Sequence, residues 1–140
     1  MADRRSSRSA GTDARSDARE RALHLLYEAH AKNELGNQVV DAQVLPVDEL
    51  VKEIVAGVDA VTLLADEIIA DNAIGWTIAR MPVIDLIVLR IAIFELKSRP
   101  EVPTAVILNE AVELAKTFST DESGRFVNGI LSTIAKKVRQ

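Results

Sequence analysis

The chain has 140 residues and a net charge of −4; 48% of it is apolar but only 4% is aromatic, so a core must be built from Leu, Ile, Val and Ala. That length suits one domain, and the absence of Cys excludes a disulfide-stapled fold, a Cys-ligated zinc site and a thiol nucleophile. No uncharged apolar run reaches the ~18 residues of a membrane span, and the early arginines are not followed by the apolar stretch of a secretory signal, so a cytoplasmic protein is expected.

Charge is unevenly placed. Through Arg21 the arginines Arg4, Arg5, Arg8, Arg15, Arg19 and Arg21 outnumber the acids Asp3, Asp13, Asp17 and Glu20. The remainder is acidic. A basic arm on an acidic body either reaches a polyanion or is simply a solvated start. Residues 1–13 hold almost nothing to bury and read as a disordered basic arm, with the helical domain over 14–140.

The first helix is expected to start near Ser16 or Asp17, either of which can cap a first turn. Ala22, Leu23, Leu26, Tyr27 and His30 recur at helical spacing and are expected to give the buried stripe. Residues 33–47, with Gly36-Asn37 and Pro46, read as a loop holding at most a short helical turn. Asp48 then opens a second long helix, whose apolar positions Leu50, Val51, Ile54, Val58, Val61, Leu64, Ile68 and Ile69 run to Asp71-Asn72. Gly57 inside it costs about 1 kcal/mol relative to Ala and implies a close helix contact. A short link with Gly75 and Trp76 leads to Met81-Pro82.

Val83 to Lys97 is so apolar that it suits a buried strand or a buried helix. Its length favours a central helix. Arg90 within it needs a carboxylate, for which Glu95 and Glu110 are candidates. Arg99-Pro100 and Pro103 frame a turn. Thr104 to Phe118 is amphipathic, with Leu108, Ala111, Val112, Ala115 and Phe118 inward. Ser119-Thr-Asp-Glu122 has the form of a capping box, Glu122 reaching back to the cap. The last helix turns Phe126, Val127, Ile130, Leu131, Ile134 and Val138 inward and ends on Lys136, Lys137 and Arg139, which suit its dipole. The pattern is all-α: five or six helices packed as two small bundles.

Catalytic signatures are missing. His24 and His30 lie six apart on one helix, not the three or four of a shared metal face, and no phosphate-binding loop or nucleophile elbow occurs. No metal, no cofactor and no enzymatic role are expected; a binding protein is. Asn128-Gly129 sits mid-helix, where both residues are poor formers: either Gly129 packs closely or the pair meets a ligand. Phe126 follows Arg125, and it is either core or, beside a cation, a stacking platform for single-stranded bases.

Four blocks, in this order, carry a resemblance: Leu89-Arg-Ile-Ala-Ile-Phe-Glu-Leu96, Val102-Pro103, Asn109-Glu-Ala-Val-Glu-Leu-Ala-Lys116 and Arg125-Phe-Val-Asn-Gly-Ile-Leu131. With the arginine-rich opening Ala18-Arg-Glu-Arg-Ala-Leu-His-Leu-Leu-Tyr27, the sequence from about Ala14 to Lys137 resembles the NusB family of bacterial transcription antitermination factors. The resemblance implies two three-helix bundles in one compact domain. It implies binding of boxA RNA, a partner in the small-subunit ribosomal protein NusE, and assembly onto the elongating RNA polymerase complex on ribosomal RNA operons. By position it implies RNA contacts at Arg15, Arg19, Arg21, Tyr27, Asp85, Glu122, Arg125 and Phe126. Asp17 departs from the family's adjacent basic residues; its carboxylate repels phosphate, so NusE is expected to complete the surface. Two other readings stand beside this one. One is a helical protein-interaction adaptor with little RNA binding of its own. The other is a NusB-like domain of the kind fused to RNA methyltransferases, less expected because this sequence stops after the last helix.

Overall fold

Apolar spacing near 3.6 residues, interrupted at prolines and glycines, produces helices that bury one stripe each. The computed structural model describes residues 10–139, with side chains from Ala14 onward. Six α-helices make up these residues: α1 (Ala10–Lys32), α2 (Gly36–Asp41), α3 (Glu49–Asn72), α4 (Val83–Ser98), α5 (Thr104–Phe118) and α6 (Asp121–Val138). A 3-10 turn, Ile78–Arg80, precedes α4. The first three helices pack together, as do the last three, giving two three-helix bundles. α4 touches α1, α3, α5 and α6 and so joins the two.

α4 is a helix and not a strand. From Asp85 to Leu96 every residue except Arg90 is buried, as expected of a helix that is apolar nearly all round. Each fully buried Leu or Ile, such as Leu89 or Ile93, contributes about 1.5–3 kcal/mol by leaving water. Gly57 of α3 allows the closest approach to α4: a Cβ there would lie 2.1 Å from the Phe94 ring.

α1 begins at Ala10, earlier than the expected start at Ser16 or Asp17. Ala14 and Arg15 are good helix formers, and the helix extends back from them across the poorer formers Gly11, Thr12 and Asp13. Of the expected arm, residues 1–9 lie outside the described residues, and 10–13 belong to α1. Ser16 does not cap a turn. It is buried and donates its hydroxyl to Glu110 on α5.

Arg90 pairs with neither expected acid. Its Nε and Nη2 each donate to Asp66 of α3 at 2.8 Å. The reason is angular: Arg90 and Glu95 stand roughly 140° apart around α4 and face different neighbours. Glu95 and Glu110 instead receive Arg19 of α1. Arg19 is 3% exposed; its Nε and Nη2 donate to Glu95 at 2.8 and 2.9 Å, and its Nη1 to Glu110 at 3.2 Å. Burial works against this charge, but the two carboxylates overcome it and hold the guanidinium above its ordinary range.

Two further polar contacts close helix ends. Asp59 of α3 accepts the backbone N–H groups of Gly36 and Asn37 at 2.9 and 2.8 Å, at the start of α2. Arg139, just past α6, serves α4 rather than its own helix. It donates to the carbonyls of Glu95, Leu96, Arg99 and Val102, where α4 ends; the Glu95 carbonyl also accepts the Arg99 N–H at 2.9 Å.

Candidate nucleic-acid interface

The starts of α4 and α6 meet at one cavity of about 600 Å³. Pro82 fixes the entry to α4 and places Asp85 in its first turn. Thr120 caps α6, its hydroxyl accepting the Ser123 N–H at 2.9 Å. The expected box therefore has a different third member. With Thr120 as cap, Ser123 takes the position that reaches back, and Glu122 turns outward, exposed. Two helix N-termini, each with a partial positive charge, thus line the cavity.

Asp85, Glu122, Arg125 and Phe126 all line this cavity, as do Trp76, Met81, Ser119, Thr120 and Ser123. Arg125 and Glu122 are exposed at its rim, and Phe126 is half-buried against the core. Asp85 is 2% exposed, and its Oδ1 has no hydrogen-bond partner. Burial pushes its carboxyl above the ordinary range, and the hydroxyls of Ser123 and Ser119 hold the rise back. An acceptor in this state suits an incoming N–H donor, which would fill the empty position.

The positions named on α1 behave differently. Arg15 is exposed, and so is Arg21, whose Nη2 donates to Gln43 at 3.0 Å. Tyr27 and His30, expected in the buried stripe, are exposed as well; Leu25 and Ala29 complete that stripe with Ala22, Leu23 and Leu26 because α1 is covered over a wider arc. Arg19 is not at the surface; its guanidinium is engaged inside the protein, where it positions α1 on α4 and α5. Two residues along, roughly 200° around the helix, Arg21 emerges on the opposite side. The middle of α1 lies at the cavity's end of α5. His24 meets Phe118 edge-on, ring centroids 4.9 Å apart, and Phe118 immediately precedes Ser119 of the cavity wall.

Sequence reasoning singled out Trp76 only as part of a link. The structure places its ring 6.0 Å from that of Phe126, at the cavity. The signal available was a lone Trp beside Gly in a loop, with no helical stripe to bury it. Gly129 does not pack closely: a Cβ there would meet nothing within 4 Å, and Asn128 beside it is exposed.

The family model of the NusB family matches residues 16–136. The chain belongs to the NusB family. The transcription antitermination protein NusB of Saccharopolyspora erythraea is 46% identical over 128 residues, spanning 87% of this chain and 86% of that protein. The protein of the same name from Thermobifida fusca is 39% identical over 127 residues, spanning 88% and 89%. Among solved structures, T. maritima NusB superposes with a TM-score of 0.79 at 29% identity, covering 88% of this chain and 91% of that one. A chain from a crystal structure of the antitermination factors NusB and NusE in complex with dsRNA gives 0.71 at 26% identity, covering 88% and 96%.

Proposed function

We propose that this NusB-family chain is an RNA-binding transcription antitermination factor. It takes up boxA RNA together with the ribosomal protein NusE and joins the elongating RNA polymerase complex on ribosomal RNA operons. The observation that carries this reading is the convergence of Asp85, Glu122, Arg125 and Phe126 on one cavity between two helix N-termini. That combination offers a ring for stacking, a cation for phosphate and acceptors for base N–H groups.

In this reading Arg15, Arg21 and Arg125 meet phosphates, Tyr27 and Phe126 contact bases, and Arg19 orients α1 from within. Arg4, Arg5 and Arg8, ahead of α1, act as the arm that approaches the RNA backbone. The role is binding rather than catalysis, exercised on nascent transcripts in the cytoplasm. Carboxylates at Asp17 and Glu20 lie among the arginines, so NusE strengthens the complex by completing the surface.

A gel shift with a single-stranded boxA-like RNA, with and without NusE, tests this. RNA is retained more tightly with NusE. Neutralising three or four phosphates gives a log–log salt slope of about −2 to −3. If NusE binds but RNA never shifts, the chain is a protein-interaction adaptor instead.

A further inference from the structure

The link between α3 and α4 presents large apolar side chains to solvent. Trp76 is the chain's one Trp and is 51% exposed, and Ile74 beside it is 95% exposed. Gly75 between them has φ of +81°, a conformation that side chains with Cβ rarely adopt. The Trp76 N–H closes the turn onto the Ala73 carbonyl at 3.3 Å. This turn directs the indole back toward α6, where it leans on Phe126 with the ring planes 57° apart.

At a centroid distance of 6.0 Å these rings already touch, so no flat molecule fits between them. They form instead a continuous aromatic surface in which Phe126 rests on the core and Trp76 presents its outer face. That face adjoins the cavity holding the unpartnered Asp85 Oδ1 and the Arg125 cation.

We propose that Trp76 is a stacking platform for a single unpaired nucleobase, whose edge then faces Asp85 and whose phosphate faces Arg125. This rests on the RNA-binding reading above and adds to it a residue and a substrate class. The chemistry selects a base over an apolar side chain of a protein. A Leu or Met would cover the indole but leave Asp85 Oδ1 without a donor. A nucleobase brings both a π-face and N–H groups on its edge. A paired base in a duplex has its faces already stacked, so the site takes single strands.

Because the chain has a single Trp, its emission reports this site alone. The full chain is titrated with a single-stranded boxA-like oligoribonucleotide while retention of labelled RNA on filters measures binding independently. Both are repeated with NusE, whose own emission is subtracted. RNA quenches the Trp76 emission in step with binding. Trp76→Ala weakens RNA binding about 5- to 150-fold, the range that loss of one stacked base gives. Trp76→Phe retains most of the affinity. Ile74→Ala binds RNA like the parent, and circular dichroism confirms that each variant keeps its helices.

If RNA is retained while emission stays constant and Trp76→Ala binds as the parent does, the platform is overturned and the RNA-binding reading survives. If no RNA is retained even with NusE, both fall. An emission change on adding NusE without RNA, with none on adding RNA, makes Trp76 a protein contact and overturns the proposal.

Discussion

Two carboxylates on α4 have nearly the same burial and opposite surroundings. Glu95 and Asp85 are each 2% exposed, ten positions apart on one helix. Glu95 receives two charge-assisted hydrogen bonds from Arg19, and the backbone around it is gripped by Arg139. Asp85 has the hydroxyls of Ser119 and Ser123 beside it and one oxygen without a partner. A buried charge with a complete set of partners holds helices in register. A buried acceptor left incomplete beside a cavity is instead available to a donor entering that cavity. The contrast separates the interior end of α4 from the end that faces the cavity, where RNA binding is proposed.

The largest effect expected from testing this contrast is at Arg19. Arg19→Ala leaves Glu95 without its partner in the interior and removes a donor from Glu110. Breaking a buried pair in this way costs about 3–5 kcal/mol. Urea denaturation measures it. A loss below about 1 kcal/mol, the scale of an exposed ion pair, would show that Arg19 is a surface cation after all.

Phe126→Ala probes the other end. Its ring is half-buried, so truncation costs less stability than the ~3–5 kcal/mol of a fully buried Phe. RNA binding falls by about 1–3 kcal/mol if the ring carries a base. Filter binding and thermal melting on the same variant separate the two losses. Unchanged RNA affinity with a full core penalty would assign Phe126 to packing alone.

How far the sequence disclosed these two ends differs. The bounds of α3, α4 and α5 were legible because apolar spacing and the prolines Pro82 and Pro103 mark them locally. So was the close contact at Gly57. The ion pairs were not legible. Whether Arg90 meets Asp66 or Glu95 depends on which helices become neighbours, and Arg19 looks like any other arginine in a basic stretch until α1 is laid against α4. The start of α1 was set too late because a mixed-charge segment carries no apolar stripe. At the other end, the block around Arg125-Phe126 lies on the wall of the cavity that Asp85 also lines. Trp76 escaped notice because its meaning comes from contact with Phe126, fifty residues away in the chain. The position of Glu122 shifted with a one-residue change of cap, which spacing alone does not resolve.

The smallest effect is also the most direct comparison: Asp85→Asn against Glu95→Gln, each keeping shape and removing charge. Burial raises the folded-state pKa of Asp85 above its unfolded value. Such a group contributes relative stability below the ordinary carboxylate range and loses it as pH rises through the raised folded value. At neutral pH the parent therefore bears the cost of a buried, incompletely paired charge. Asp85→Asn removes that charge and gains on the order of 1 kcal/mol near pH 7, an increment that shrinks as pH falls and Asp85 becomes protonated. Glu95→Gln goes the other way at pH 7, because it weakens the pair that compensates Arg19. Denaturation curves at neutral and acidic pH give both signs. If Asp85→Asn destabilises at neutral pH as Glu95→Gln does, then Asp85 is another interior anchor, and the division of α4 into a structural and a binding end is lost.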